Sequence, residues 1–421
     1  MPRVNHNTIA PEGTFINNYM KAQRGLETAT AYDFWCACWV LSSVLGRSVY
    51  VDRPRIPVRL NWYLLLVAES GITRKSTAVV RARKLLASVR DDDTLLIEAK
   101  TTPEKLEYMM GMSSEKTSNA TVYIAIPELV TFLGRERYTM QMPGLLTDLY
   151  DCPDVRLGGG VIGRREHTLR KVFVSFLSAS TPSWLMRAIN PDVIEGGFTS
   201  RTIFVVAERR KRRIAWPDPV EHDTDFSLLH TTLLRVRDEA RSIGGIPLTP
   251  KAVGRFGRWY SRRVESHDPF RISFESREDE HVLRMAGLLA INEELYKVEV
   301  RHIEKATKII MEVKNDAASL FVGGVRPDRL LLGIDHLRTV LLEAGHDGLS
   351  RNRLYHKVRT RLSSTELGTV LRIMHEHEMV QRFDHATSAV AKKKAVIWRA
   401  TNKIMEKGRL DSVLANVAPD L

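Results

Sequence analysis

The spacing of apolar positions changes along the chain, and the changes divide it. Over residues 1–60 they recur at helical spacing: Thr14 to Met20 and Tyr32 to Leu45 predict helices. Val49 to Leu60, with Pro54 and Pro57, predicts a short basic extended segment. From Trp62 to Ala68 the run is continuously apolar apart from the Tyr63 hydroxyl, the pattern of a strand buried on both faces. Thr121–Ile126, Val172–Ser178 and Thr202–Val206 repeat it, with helical stretches between. This alternation predicts an α/β core over 61–215, a parallel sheet flanked by helices. Trp216-Pro217-Asp218-Pro219 marks a boundary. Residues 216–325 are helical by pattern, predicting a helical lid that ends at the hinge Gly323 to Pro327. Over 326–403, three helices (Leu330–Ala344, Arg351–Val358, Thr365–Glu378) and two strands (Met379–Phe383, Ala395–Ala400) predict a winged helix. Residues 404–421 read as a tail.

Candidate chemistry concentrates where the first buried strand turns into a helix. The turn Glu69-Ser70-Gly71-Ile72-Thr73-Arg74-Lys75-Ser76-Thr77 has the Lys-Ser of a P-loop, but Glu69 and Arg74 stand where that motif has glycine. A phosphate site needs a strand to deliver the loop, a helix whose free N–H groups face the anion, and a lysine for the terminal phosphates. All three are written here. Residues 70–77 would line a nucleoside triphosphate, Lys75 would reach its β- and γ-phosphates, and the Ser76 hydroxyl would ligate Mg²⁺. Arg74 must then tolerate a Cβ where glycine permits close approach, and Glu69 must face away from a polyanion. The plainer alternative is a β–α turn with a fortuitous Lys-Ser, or a site that has lost its activity.

Other candidates follow in chain order. Glu128 closes the second strand, where a carboxylate can position a lytic water and help hold Mg²⁺; Pro127 replaces the aspartate that usually accompanies it. Glu128 could equally be an ordinary helix-start carboxylate. Ser180 or Thr181, ending the third strand, could sense a γ-phosphate or cap the helix that follows. Arg201, just before the fourth strand, could act on a neighbouring subunit's nucleotide or form a structural ion pair.

In this order the pieces resemble the ATPase part of phage- and plasmid-encoded replicative helicase-like proteins, which share a fold with ring-forming AAA+/RecA-like motors. The resemblance runs from about Phe15 to Ile310 and includes Asn61-Trp62-Tyr63, Thr73 to Ser76, Thr102 to Leu106, Leu149-Tyr150-Asp151, Ala179 to Pro182 and Gly197 to Arg201. It implies ATP and Mg²⁺ as cofactors, DNA and other replication proteins as partners, and self-association into a ring, a hexamer. A second likeness is to minichromosome-maintenance helicases: Thr199-Ser200-Arg201 looks like their arginine finger. Arg277 and Arg284, seven apart and so on one helical face, look like their second sensor, which would make Arg277 a further triphosphate contact. The glycine-rich insertion from Asp154 to Lys171 would form a hairpin, and the resemblance makes Arg164, Arg165 and Arg170 phosphate contacts in a central channel. Lys392, Lys393 and Lys394, between the two wing strands, would meet DNA.

Composition narrows the partner. The chain has 421 residues and a formal net charge of +13, an excess that favours a nucleic acid. No apolar run approaches the roughly eighteen residues a membrane span needs, and no signal peptide is evident at the start. Three cysteines make no disulfide framework, and Cys36 and Cys38 read as core thiols in a reducing cytoplasm. Five adjacent cations, Arg209 to Arg213, call for solvent or a polyanion. Two functional classes remain open beside the DNA-dependent ATPase: an initiator or helicase loader that binds nucleotide without turnover, and a structural ring with a vestigial site.

Overall fold

The computed structural model describes residues 5–133, 141–157, 167–188, 197–216, 222–264, 266, 268–321, 329–359, 364–376, 378–386 and 394–401. The chain forms two compact units, Met1–Val322 and Gly323–Leu421.

The first unit is built on a five-stranded sheet, four of whose strands the apolar runs foretold. The short strands β1 (Tyr50–Val51) and β2 (Val58–Arg59) come first. Then follow β3 (Tyr63–Val67), β4 (Leu95–Ile97), β5 (Thr121–Ile126), the pair β6 (Val155–Leu157) and β7 (Thr168–Arg170), β8 (Phe173–Ser180) and β9 (Thr202–Val206). Five of them make one sheet in the order β4-β5-β8-β3-β9, and every neighbouring pair is parallel. Every residue of β3, β5 and β8 is buried, which is why these segments show no regular alternation of apolar and polar residues and carry only small hydroxyl side chains besides the apolar and tyrosine ones. The register sets Tyr63 opposite Phe176 and Thr202, and Val67 opposite Ser180 and Val206. The carboxyl ends of β3, β8 and β9 are therefore level. The chain leaves β3 for the far edge at β4 and later returns to its other side as β9. In an open parallel sheet such a reversal opens a crevice at the carboxyl ends of the strands.

The helix Thr30–Leu45 is buried almost all round, as a helix apolar on every face must be. Trp35 meets Trp62 edge-on at 5.5 Å. The Ser43 hydroxyl donates to Ser175 Oγ at 3.1 Å, tying this helix to β8. Cys36 and Cys38 are buried free thiols, and burial pushes both well above the ordinary thiol range. Five helices between residues 222 and 321 add to the same hydrophobic core: His222–Ile243, Pro250–Tyr260, Pro269–Glu275, Glu278–Asn292 and Val300–Phe321. Strand β10 (Gly245–Ile246) lies parallel to β1 and completes a small sheet with β2. Thr102, Thr249 and Asp268 accept backbone N–H groups at the starts of their helices. Strands β6 and β7 pair antiparallel as the arms of a hairpin. Its glycine-rich tip lies outside the described residues.

The second unit contains helices Arg329–Glu343, Arg351–Val358 and Ser364–Glu376 and strands β11 (Leu349–Ser350), β12 (Val380–Ala386) and β13 (Lys394–Ala400). Strand β13 lies between the other two, antiparallel to both. Leu337, Leu341, Leu354, Leu371 and Met374 form part of its own apolar core. Among the described residues, no helix of either unit is long and apolar enough to cross a membrane.

Candidate functional site

The turn after β3 is open. Residues 70–74 carry the chain from the strand to the helix Lys75–Val89, and no side chain caps that helix start. Its first-turn N–H groups are thus left for another acceptor, the condition under which a helix end holds an anion. Gly71 has φ +75° and Arg74 has φ 53° and ψ 37°. Arg74 therefore occupies the left-handed region that favours glycine, and this is how the loop keeps its path without one. Its guanidinium turns aside: Nε donates to Glu27 Oε2 at 2.8 Å. Glu27 also accepts from Arg210 Nη1 at 2.9 Å and from the Ile214 backbone N–H at 3.0 Å. Those donors, the Ile214 N–H first and Arg74 next, hold its carboxyl down to about 2. A second tether runs below the loop. The buried Thr73 hydroxyl donates to Tyr32 Oη at 3.4 Å, and Tyr32 donates to the Val67 carbonyl at 2.9 Å.

The cavity above this loop measures about 390 Å³. Ser70, Gly71, Arg74, Lys75, Ser76 and Thr77 form one wall. Glu128 to Val130, just after β5, and Ala179 to Thr181 with Trp184, at the end of β8, form the rest. Nine sequence-predicted positions, Ser70, Gly71, Arg74, Lys75, Ser76, Thr77, Glu128, Ser180 and Thr181, therefore converge on one space. Lys75 Nζ lies 3.4 Å from the Glu69 carbonyl. Partial burial lowers the lysine from its ordinary value, opposed by the Glu69 and Glu128 carboxylates. Thr181 performs the capping role: its Oγ1 accepts the Trp184 N–H at 3.3 Å while the residue faces the cavity. Ser180 donates to the Thr181 carbonyl at 3.2 Å. Ile72 is exposed and Thr73 buried, and neither lines the cavity. Among the described residues, no group of three or more His, Cys, Asp or Glu is placed to hold a metal. A divalent cation here would rest on Ser76, Glu128 and the phosphates themselves, and the uncapped helix start beside a lysine fits that arrangement.

Arg201 and Arg277 lie elsewhere, away from the cavity of their own chain. Arg201 immediately precedes β9, whose first residue pairs with Tyr63 at the start of β3. The cavity is at the other end of those strands. Five residues of strand span roughly 15 Å, farther than an arginine reaches. Both guanidinium groups turn instead to Asp151, Arg201 Nη2 at 3.3 Å and Arg277 Nη1 at 2.9 Å. The helix begins at Glu278 with Arg277 as its N-cap residue. Arg284 is buried, donating to the Arg59 carbonyl at 2.7 Å, because its turn of helix packs into the core. Arg277 and Arg284 still share a face through Glu280, at 3.0 and 3.9 Å.

Two cations of the basic run after β9 find carboxylates within the chain. Lys211 Nζ reaches the buried Asp33 carboxylate at 2.6 Å, and Arg210 reaches Glu27. Burial raises Asp33 to about 6, opposed by Lys211. Arg209, Arg212 and Arg213 remain exposed. Of the residues expected to meet DNA, Arg170 is exposed on β7 and Lys394 begins β13. Arg164, Arg165, Lys392 and Lys393 lie outside the described residues. Sequence reasoning missed Glu27, Tyr32, Trp184 and any role for Asp151. Only Asp151 carried a signal, as part of Leu149-Tyr150-Asp151.

Fold and site together define an α/β protein, a five-stranded parallel sheet flanked by helices, consistent with a P-loop nucleotide-binding fold. No family profile matches the chain, and no curated protein matches it. Among solved structures it is similar to one described as a full-length MCM homolog from Methanopyrus kandleri, with 15% identity, a TM-score of 0.41, and coverage of 72% of this chain. The matched part spans 59% of that protein's length.

Proposed function

We propose that this chain is a DNA-dependent ATPase, a ring-forming helicase-like motor in the replication of a mobile element. The observation that carries the reading is the convergence of Lys75, an uncapped helix start, Glu128 and Thr181 on one cavity. Lys75 and the N–H groups of the first helical turn bind the phosphates. The Glu128 carboxylate orients and deprotonates the attacking water, and Ser180 or Thr181 holds the terminal phosphate. Ser76 and Glu128 would hold Mg²⁺, which would neutralise phosphate charge. Arg201 and Arg277 act on the nucleotide of the adjoining subunit, since their own cavity is out of reach. Residues 216–325 serve as the lid. The second unit is a winged helix that engages DNA, with Lys392 to Lys394 on the wing and Arg164, Arg165 and Arg170 on the hairpin.

A second reading has a specific observation behind it. Pro127 offers no side-chain oxygen for a metal, and Glu69 adds negative charge near Lys75. These favour an initiator or helicase loader that holds ATP without turnover. The deciding measurement is DNA-stimulated ATP hydrolysis by wild type and Lys75→Ala. The motor predicts hydrolysis that falls about 100-fold or more in the variant. ATP binding without hydrolysis in the wild type would leave the loader, and neither would leave a structural ring. Strand displacement on a forked duplex then tests the helicase itself.

A further inference from the structure

Two arginines far apart in sequence share one carboxylate. Asp151 immediately follows the helix Gln141–Tyr150. Its Oδ1 accepts from Arg277 Nη1 at 2.9 Å, and its Oδ2 accepts from Arg277 Nη2 at 3.2 Å and Arg201 Nη2 at 3.3 Å. The contact to Arg277 is a two-pronged fork, the geometry that fixes a guanidinium in plane as well as in place. Arg201 is held from its other side by the Gly197 carbonyl, 3.1 Å from Nη1. Gly197 has φ +79°, and a Cβ there would come within 2.6 Å of Arg201 Nη1. The positive φ at this position is the conformation that favours glycine. Arg201 Nε is buried and finds no acceptor among the described residues. Arg284 stacks on the Tyr150 ring beneath, 4.9 Å from its centre. Three guanidinium groups here face two carboxylates, Asp151 and Glu280, so the cluster keeps a positive excess. Asp151 is half-exposed, so the cluster opens to solvent through it.

We propose that Asp151 is a positioning residue that sets Arg201 and Arg277 as a pair for an anionic group brought by a second copy of the chain, the terminal phosphate of its bound nucleotide. The inference rests on the proposed function and adds to it the residue that orients those cations. Two carboxylates, Asp151 and Glu280, leave the three guanidinium groups short of neutrality, and that remainder draws the incoming phosphate. Without the fork the two guanidinium groups repel one another and part.

The test uses the full chain with DNA and ATP. Asp151→Asn lowers kcat about tenfold or more while KM and nucleotide affinity stay within twofold. Asp151→Glu, which keeps the charge, recovers part of the loss. In an Arg201→Ala/Arg277→Ala background, Asp151→Asn costs less than about twofold more, because its effect passes through those side chains. An equal mixture of Lys75→Ala and Asp151→Asn chains regains activity that neither has alone, since about a quarter of the interfaces pair an intact Lys75 with an intact Asp151. Wild-type kcat in Asp151→Asn, with Arg201→Ala slowed about tenfold or more, overturns the inference and leaves the proposed function standing. Additive losses, or a mixture with no recovery, overturn it too. If Arg201→Ala and Arg277→Ala hydrolyse normally while Lys75→Ala does not, the assignment of these arginines to the neighbour fails and the inference falls with it. A wild-type chain that does not hydrolyse ATP removes both.

Discussion

Arg74 carries the strain of the altered loop, and Glu27 holds it there. A non-glycine residue in the left-handed region costs on the order of 1 kcal/mol. Replacing Arg74 by glycine removes that cost and the Glu27 contact together. Nucleotide affinity in Arg74→Gly is expected to stay within about threefold of wild type. Glu27→Ala leaves the strain without its tether, and affinity should fall about fivefold to tenfold. Titration with a fluorescent ATP analogue measures both. Abolished binding in Arg74→Gly would mean that Arg74 itself holds the nucleotide. His281 makes a pH-dependent contribution. Burial first, and then Arg284, lower it to about 3, so it is neutral in the fold. Its Nε2–H donates to the Ser200 carbonyl at 2.8 Å, and its Nδ1 accepts from Arg284 at 3.3 Å. The unfolded chain takes up the proton near 6.5 and the folded chain resists it, so stability is complete above that value. It is lost as pH falls from 6.5 towards 3, by on the order of 4 kcal/mol in the limit. Urea unfolding at pH 7 and pH 5 should show the loss, and His281→Gln should flatten it.

At the scale of elements, burial decided what could be read. The four strands foretold from apolar runs are the ones buried on both faces, where no polar alternation is tolerated. Strand β4 was not foretold: it has three residues, two of them only partly buried, at the sheet edge after three aspartates. So short a segment carries no period. Strand β11, two residues long, escaped for the same reason. The helix Thr30–Leu45 was foretold as a helix, but its place in the core follows from Trp35 and Trp39, both fully buried. Trp35→Ala should destabilise the chain by about 3–5 kcal/mol, through the lost burial and the cavity left beside Trp62. Calorimetry or urea unfolding would show it, and a cost below 1 kcal/mol would mean that this helix is not the support of β3.

At the scale of the whole molecule, the separation into two units carries its own expectation. The residues before Gly323 have a core of their own, and so do those after it. A chain ended at Phe321 should fold, melt in one transition and bind ATP with unchanged affinity, while its affinity for DNA falls about tenfold or more. Loss of ATP binding on truncation would contradict the division. The chemistry followed the same divide between near and far. The turn 69–77 could be read because strand, loop and helix are consecutive, and their phosphate-facing geometry is local. The contacts that set it are not local: Glu27 to Arg74 spans 47 positions, Glu27 to Arg210 spans 183, and Asp151 to Arg277 spans 126.

The order of residues by itself determined which long apolar segments must be strands, which helix starts at the loop, and which lysine and serine stand there. Each of these depends on burial and hydrogen bonding among neighbours in the chain. Only the tertiary structure decided that Glu128 and Thr181 share the lysine's cavity, and that Arg201 and Arg277 lie together on Asp151 at the opposite end of the strands. Those facts depend on sheet order and register. A pattern of apolar positions constrains which faces are buried, but it does not say which strand lies beside which.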